Sequence, residues 1–226
     1  MTKLNFIRLT KVLFTLSIFI GCLGCSFFLN FEKKKNRTTI GNQTWMTSNL
    51  NTTSFRNGDE IKQANTPEEW VEFGKNEIPA WCYMSNEEEN KNNLGRLYNW
   101  FAVNDERGIC PEGWHVPKNS EIDTLIVSLG GDLSEEDNQA GKKLKASSAW
   151  GTDFDGKNEV SFNAYPNGIK SRNGQIKFSK TFSYWWTSTE MNAVGARFYG
   201  LTTKSNHLGQ LFTRKESGLC VRCLKD

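Results

Sequence analysis

The clearest repeat of apolar positions lies in the middle of the chain, in the range Ile109–Gly131. Four apolar residues there recur at helical spacing and form one stripe: Ile122, Leu125, Ile126 and Leu129. Pro111 and Pro117 stiffen the turn before this stripe and hold Trp114 as a candidate core anchor. The stretch therefore predicts a rigid aromatic turn, one amphipathic helix, and a stop at the pair Gly130–Gly131.

Three other stretches predict helices. Thr66 precedes a proline and two glutamates, which is typical of an N-cap, so a short helix is expected over Pro67–Phe73. The apolar spacing of Leu94–Val103 predicts another helix. Ser134–Ala146 has acidic residues early and lysines late, which suits the dipole of a third main helix.

The chain after Trp150 alternates short apolar runs with turn residues and predicts mainly strands. The expected strands are Val160–Tyr165, Ile176–Phe178, Phe182–Thr187, Ala196–Leu201 and Cys220–Leu224. Nearer the start, Thr38–Trp45 predicts a hairpin around a Gly-Asn turn, and Asn57–Asp59 predicts a second turn. The helices come first and the strands later, which indicates an α+β fold rather than alternating βαβ units.

Residues 1–24 have the pattern of a secretory signal peptide. Three basic residues come first, and no charge follows from Val12 to Phe31. The basic residues are Lys3, Arg8 and Lys11. The charge-free run is also just long enough for an uncleaved membrane-spanning anchor, which is the alternative interpretation.

Two Gly-Cys pairs near the end of this segment predict lipid attachment. Both resemble the bacterial lipobox, in which the cysteine after a small residue is acylated. Cys25 is the preferred site, and Cys22 is close behind it. Residues 25–37 carry several charges without apolar periodicity, so we interpret them as a short tether between the lipid and the domain.

Removal of the signal peptide changes the charge of the chain. The full chain has 28 basic and 25 acidic residues, and three of the basic ones lie in the signal peptide. The exported chain therefore has 25 residues of each sign and is neutral apart from its termini. Without a surplus of basic residues the chain lacks the main electrostatic attraction to the phosphates of a nucleic acid, so no nucleic-acid partner is expected.

Several motifs occur together in an order that resembles one family. They are IGNQTWMTSNLNT (40–52), FRNGDEI (55–61), GRLYNWFAV (95–103), CPEGWHVP (110–117), LGG (129–131), AGKKLK (140–145), WWTSTE (185–190) and CVRC (220–223). Over residues 38–226 the chain resembles the Fibrobacter succinogenes major paralogous domain, a family of secreted bacterial proteins that includes many lipoproteins. Lys118 departs from the family pattern, which has Ser or Thr after WHVP, so the helix cap is expected to move to Asn119 or Ser120.

The resemblance implies a fold distantly related to C-type lectins and formylglycine-generating enzymes. Such a fold has helices packed on a twisted antiparallel sheet, long loops, and N- and C-terminal strands that meet. The Glu-Pro-Asn and Trp-Asn-Asp motifs of calcium-dependent lectins are absent from the sequence. No calcium-dependent sugar site of that type is expected, and no other metal or cofactor is expected either.

Four cysteines remain after the signal peptide, and in an exported chain an even number predicts two disulfides. They are Cys82, Cys110, Cys220 and Cys223. Three connectivities are possible, although Cys220 and Cys223 would face opposite sides of a strand and would not pair easily. The lectin-like pattern ties the main-helix region to the last strand, which implies a Cys110–Cys223 bridge and leaves Cys82 with Cys220.

No catalytic grouping can be recognised in the sequence. A redox CxxC usually opens a helix and a zinc site needs four ligands, so Cys220-Val221-Arg222-Cys223 is interpreted as structural. His115 is expected to be a hydrogen-bonded structural residue of the Pro-bracketed turn, and His207 is expected in a loop. Glu87–Glu89 is expected to be a solvated loop.

The candidate ligand surface is the run Tyr184–Glu190. Adjacent side chains on a strand face opposite sides, so one of Trp185 and Trp186 is expected in the core and the other exposed or half-buried. An exposed indole beside Glu190 would stack a sugar ring or grip a protein loop. The competing expectation is that both indoles pack in the core.

The sequence thus predicts an exported, lipid-anchored, non-catalytic module at the cell envelope or outer-membrane surface that binds glycan or protein. The alternative is an enzyme on a formylglycine-generating-enzyme-like scaffold that uses Cys220 or Cys223, and it rests on fold analogy alone. Two separate bridges would favour the module, whereas two thiols that converge in a pocket would favour the enzyme.

Lipid attachment can be tested by metabolic labelling with a clickable fatty acid. We expect the wild-type protein to carry the label and the double variant Cys22→Ser, Cys25→Ser to lose it, because the labelled fatty acid is attached to the protein through the acylated cysteine. An unlabelled wild type, or full labelling of the double variant, would refute attachment at these residues.

Overall fold

The computed structural model describes residues 36–84, 94–151 and 154–226 of the chain. The predicted signal peptide, the candidate lipid sites Cys22 and Cys25, most of the tether, and Glu87–Glu89 lie outside these ranges. From Thr38 to Asp226 the chain forms one compact unit. Within the described ranges, no helix has the length and apolar character needed to cross a membrane.

The described residues form short strands, three longer strands late in the chain, and short helices. The strands are β1 (Arg37–Ile40), β2 (Gln43–Met46), β3 (Lys62–Gln63), β4 (Ala80–Tyr83), β5 (Arg96–Tyr98), β6 (Trp114–His115), β7 (Ile169–Lys170), β8 (Ile176–Lys177), β9 (Phe182–Asn192), β10 (Gly195–Thr202), β11 (Ser205–Arg214) and β12 (Leu224–Lys225). The helices are α1 (Pro67–Lys75), α2 (Trp100–Val103), α3 (Asn119–Ser128) and α4 (Ala140–Leu144).

Strand pairing is mostly antiparallel, which confirms the predicted α+β class. The sheet orders are β1-β2-β12-β6, β11-β10-β9, β3-β4-β5 and β7-β8, and only the β3–β4 pair among them is parallel in the described residues. Leu224 of β12 pairs with Trp45 of β2 on one side and with His115 of β6 on the other. The last strand therefore lies between the first hairpin and the Pro-bracketed turn, as the resemblance implied.

The central apolar stripe forms α3, as predicted. Ile122, Leu125 and Ile126 are at most 1% exposed, so this face of the helix is wholly in the core. The cap is Lys118, not Asn119 or Ser120 as predicted, and its backbone N–H donates to the Glu121 carboxylate at 2.7 Å. A lysine side chain has no acceptor atom, and the Asn119 N–H donates instead to the Thr189 hydroxyl of β9 at 2.9 Å.

The first hairpin, the second turn and the first helix also follow the sequence prediction. β1 and β2 pair around Gly41, whose φ of +60° suits the Gly-Asn turn, and Gly58 has a φ of +93° in the second turn. Thr66 caps α1 by accepting from the Glu69 backbone, and the Glu69 carboxylate accepts from the Thr66 N–H. This reciprocal capping box fixes the start of α1 at Pro67.

Two predicted helices are wrong in part. Leu94–Val103 begins as strand β5 and only its last four residues form α2, because Tyr98 pairs with both Trp81 and Leu219. Asn99 then ends the strand, since its side chain accepts from Ala102 N–H and caps α2. The predicted helix Ser134–Ala146 is reduced to α4, because residues before it form turns that end in a left-handed Gln139 with a φ of +54°.

Two of the predicted strands are wrong, wholly or in part. Of Cys220–Leu224 only Leu224 lies in a strand, β12, and Cys220 forms an isolated bridge with Trp185. Val160–Tyr165 forms no strand, and it meets the α4 region through a bridge between Ala164 and Lys145. The chain around His207 is not a loop but the first half of β11, which lies at one edge of the β9–β10–β11 sheet. The sequence signal was weak there because polar residues and glycines interrupt the apolar alternation of a strand.

Strand β9 separates two hydrophobic cores. Trp185 belongs to the core that contains α3 and α4, whereas Trp186 belongs to the core that contains Trp81, Trp100 and the disulfide. Both indoles are 0% exposed. Because adjacent side chains of a strand point to opposite faces, a strand covered on both faces buries two neighbouring tryptophans.

The structure contains the predicted Cys110–Cys223 disulfide, which closes a loop with a sequence separation of 113 residues. The predicted Cys82–Cys220 bridge is wrong, since both residues are buried free thiols. Cys82 pairs with Leu97 across β4 and β5, and the antiparallel pair Tyr98–Leu219 brings Cys220 to the other side of Leu97. Two strand spacings, about 9–10 Å, separate the two cysteines, which is more than a disulfide spans.

Cysteine chemistry gives a direct test of this arrangement. Non-reducing peptide mapping should join Cys110 to Cys223, and iodoacetamide at pH 8 should label Cys82 and Cys220 only after unfolding. Replacing both bridged cysteines with alanine should lower the free energy of unfolding by about 2–5 kcal/mol, because the unfolded chain loses its cross-link. Cys82→Ala is the control that keeps the bridge. A peptide that joins Cys82 to Cys220 would contradict the strand arrangement.

Candidate functional site

The predicted tryptophan surface does not exist, because the structure buries both indoles. The Trp185 indole donates to the Asn49 side chain at 2.7 Å, and the Trp186 indole donates to the Tyr98 carbonyl at 2.8 Å. The expectation of one exposed indole is therefore wrong, and the competing expectation that both pack in the core is confirmed. Glu190 is exposed and forms an ion pair with Lys215.

A groove lies nearby on the β9–β10–β11 sheet, on the same face as Trp186. Its volume is about 350 Å³. We call it the sheet groove and define it by side chains and glycines from the three strands and one loop: Phe182, Tyr184, Gly200, Thr202, Ser205, His207, Gly209, Leu211 and Glu136. Phe198 contacts both Tyr184 of the groove and Trp186 of the core that contains the disulfide, so the groove adjoins the packed rings of that core.

Aromatic rings from β9 and the turn before it form one wall of the sheet groove. Phe182 and Tyr184 are stacked with ring centroids 5.3 Å apart, and Phe178 meets Phe182 edge-on at 5.2 Å. Phe198 holds Tyr184 from the core side at 5.2 Å. Partial burial raises the pKa of Tyr184 to about 12, so its hydroxyl remains a neutral donor and acceptor at physiological pH.

Two glycines form the floor of the sheet groove. Gly200 of β10 pairs directly with Gly209 of β11, and Tyr184 of β9 pairs with Gly200 on the other side. A Cβ at Gly200 would lie 2.5 Å from the Tyr184 ring, so the ring requires glycine there. A Cβ at Gly209 would contact His207 Cδ2 at 3.4 Å and Leu211 Cδ1 at 3.5 Å, which are ordinary van der Waals distances, so this position tolerates a side chain.

The opposite wall is polar and carries a histidine in a fixed tautomer. The backbone N–H of Asn138 donates to His207 Nδ1 at 3.3 Å, so in the neutral ring the proton lies on Nε2. The Cδ2 and Nε2 atoms of His207 are 3.4 and 3.7 Å from the position of a Gly209 Cβ. The Nε2–H edge therefore lies at the floor of the groove, next to Gly209.

The Asn138 side chain holds this wall in place by forming the two hydrogen bonds to the Leu208 backbone that a neighbouring strand would form. Its side-chain oxygen accepts from Leu208 N–H at 3.0 Å, and its side-chain nitrogen donates to Leu208 C=O at 3.1 Å. The same oxygen accepts from Ala140 N–H at the start of α4. One buried amide thus joins α4 to β11 and sets the position of His207.

Lys145 holds the rim formed by the β10–β11 turn. Its ammonium donates to the carbonyl groups of Thr202 and Ser205, both at 2.8 Å, although the side chain is completely buried. It also contacts Phe154 C=O and the Asn206 side chain, both at 3.3 Å. Burial lowers the pKa of Lys145 to about 8, and the oxygen atoms around it satisfy its donors.

The cysteine thiols lie away from the sheet groove. Cys82 and Cys220 are buried in the first core, and burial raises the pKa of each thiol to about 12. A thiol with such a pKa remains protonated and is a poor nucleophile or metal ligand. Cys220 and Cys223 lie in different cores, so the CxxC pair does not converge on one site.

His115 lies at a second, larger pocket of about 530 Å³. Its Nδ1 is 2.6 Å from Asp226 Oδ1, and its Nε2 is 3.0 Å from Glu121 Oε1. Both ring nitrogens therefore contact carboxylates, one from Asp226 just after β12 and one from Glu121 of α3, which agrees with the predicted structural role. Among the described residues no group of three His, Cys, Asp or Glu side chains is placed to hold a metal ion.

The geometry defines an α+β domain with a sheet groove on one surface. The model of the Fibrobacter succinogenes major domain family matches residues 38–225, and the chain belongs to this family. The resemblance inferred from the motifs is thereby confirmed. No curated protein and no solved structure matches the chain significantly.

The role of Asn138 can be tested by Asn138→Ala. The change leaves the buried Leu208 backbone groups without partners and should lower the free energy of unfolding by about 1–3 kcal/mol. Asn104→Ala is the matched control, because Asn104 is exposed at the end of α2 and should change stability by less than about 0.5 kcal/mol. Equal effects of the two substitutions in chemical denaturation would contradict the strand-like role of Asn138.

Proposed function

We propose that this protein is an exported, lipid-anchored, non-catalytic binding module of the bacterial cell envelope, and that the sheet groove binds its glycan or protein ligand. The observation that carries the proposal is the pairing of an aromatic wall with a polar wall over a glycine floor. Binding sites of this kind combine apolar contact area with a few well-placed polar groups.

Export and anchoring are supported by the sequence and by the cysteine arrangement. The predicted signal peptide ends in two Gly-Cys pairs, and the exported chain has balanced charge. The Cys110–Cys223 bridge suits a chain that folds outside the reducing cytoplasm. The partner of the N-terminal lipid is the membrane itself, most simply at the outer-membrane surface.

We also propose that the fold is a variant of the C-type-lectin-like and formylglycine-generating-enzyme-like architecture. The meeting of β2 with β12 supports this assignment, because such folds bring the N- and C-terminal strands together. The bridge from the Pro-bracketed turn to the last strand supports it as well. The long, loop-rich segment between α4 and β9 corresponds to the expected insertion.

The alternative enzyme has less support. It required thiols that converge in a pocket, whereas Cys82 and Cys220 are buried on either side of Leu97 with strongly raised pKa values. Cys223 is in a disulfide and belongs to the opposite core. A binding role uses the same scaffold without any activated group.

The proposal is tested by a screen of immobilised glycans and envelope proteins with the lipid-free domain. We expect at least one ligand whose binding falls about tenfold or more in Tyr184→Ala, because the ring is the largest wall of the sheet groove. Phe212→Ala is the matched control, since Phe212 is 60% exposed on the same sheet but points to the opposite face.

Three results would count against the proposed function. They are a screen without any ligand, a ligand whose binding is equally affected by both substitutions, and turnover of a substrate by the purified domain. Normal thermal unfolding of both variants is required, so that a loss of binding is not a loss of fold.

A further inference from the structure

We propose that the sheet groove binds a pyranose ring of an oligosaccharide, with the C–H face of the sugar against the aromatic wall and its hydroxyl groups toward His207. This inference rests on the proposed function and narrows its ligand class from glycan or protein to glycan. The inference follows from the difference between the walls, one aromatic and one polar, rather than from the apolar area of the groove.

A pyranose ring has an apolar face of C–H groups and a rim of hydroxyl groups. The sheet groove has the same division across three strands: rings on β9, glycines on β10 and β11, and polar groups on β11 and the loop before α4. A ligand that is apolar on all sides would leave the His207 Nε2–H without a partner. A ligand that is polar on all sides would gain nothing from the two rings.

The polar wall is held in position before any ligand arrives. Asn138 fixes the tautomer of His207, so Nε2 presents a hydrogen-bond donor to a sugar hydroxyl. Lys145 fixes the turn that carries Thr202 and Ser205, which line the rim. The Glu136 carboxylate lines the same side and accepts hydrogen bonds only. A sugar hydroxyl both donates and accepts, so it satisfies the two kinds of group together.

The location of the sheet groove disfavours a peptide. An extended peptide that binds by strand addition needs the free backbone groups of a sheet edge, whereas this groove lies on the face of three paired strands. Its volume of about 350 Å³ is near the lower end for small-molecule sites and suits one or two rings. An amphipathic helix would need a longer apolar channel for anchors at successive turns.

The floor offers a substitution that blocks the groove without removing a wall. Gly209 is not in the left-handed region, and a new Cβ there would meet its nearest atom, His207 Cδ2, at an ordinary contact distance of 3.4 Å, so Gly209→Val should fold. The added methyl groups would occupy the place of the sugar. Gly200→Ala is unsuitable, because its methyl group would collide with the Tyr184 ring and the Ser183 carbonyl.

The test is saturation-transfer NMR with a defined panel of oligosaccharides: cellotetraose, xylotetraose, mannotetraose, maltotetraose, lactose and chitotetraose. We expect at least one to bind, with the strongest transfer to C–H protons on one face of a ring. Gly209→Val should abolish the signal, and His207→Ala should weaken binding about 3- to 10-fold through loss of one hydrogen bond. Phe212→Ala should bind as the wild type does.

Each other outcome has a definite meaning. Failure of every sugar to bind, or sugar binding that survives Gly209→Val, overturns this inference. If an envelope protein or peptide binds at the sheet groove and the sugars do not, the pyranose assignment fails while the proposed binding function stands. If neither class of ligand binds, both fail. Thermal unfolding of each variant shows that the compared proteins are folded.

Discussion

The burial of β9 on both faces is the constraint on which the rest of the structure depends. Trp185 and Trp186 point in opposite directions, and each fills a different core. The first core contains residues of α3 and α4 on one side of the sheet, and the second contains the Cys110–Cys223 bridge on the other. Strands β4 and β5 contribute alternate residues to both cores. A single strand therefore determines where the helices, the disulfide and the last strand must lie.

The first core also encloses a charged side chain that forms no ion pair with any acidic residue in the described part of the chain. Arg222 is 1% exposed, and its guanidinium donates to the Asn49 side chain and to the Phe162 carbonyl. Its carbon centre lies 4.2 Å above the Phe162 ring, and burial lowers its pKa to about 10. Asn49 accepts from Trp185 as well, so one amide oxygen connects the CVRC segment to β9 and satisfies groups that burial would otherwise leave unpaired.

The sheet groove follows from this arrangement because only part of this face of β9 is covered by other residues. Trp186 is buried in one core with Tyr98 and Trp100, whereas Tyr184 and Phe182, nearer the start of the strand, are only half-buried. Phe198 contacts both Trp186 and Tyr184, so the rings of the groove continue the packing of the core. The buried polar side chains Asn138 and Lys145 hold the opposite wall. The groove is thus rigid on both sides, which reduces the entropy lost on binding.

The sequence by itself determined the features that depend on local pattern. The helical spacing of Ile122, Leu125 and Ile126 and the capping box of Thr66 need no distant partner, and both form as predicted. The family motifs likewise implied the α+β class and the Cys110–Cys223 bridge. Leu94–Val103 had helical spacing too, but pairing with β4 and Leu219 made three of its residues, Arg96–Tyr98, a strand.

Tertiary structure alone decided which aromatic residues are available to a ligand. The sequence marks Trp185 and Trp186 as the largest side chains of their strand, yet their exposure depends on what covers each face. The wall of the groove is formed by Tyr184 and Phe182, and its floor by Gly200 and Gly209, which are distant in sequence and meet through strand register. Strand register and the burial of each sheet face are set by contacts between segments that are distant in sequence, and the hydrophobic periodicity of one segment determines neither of them.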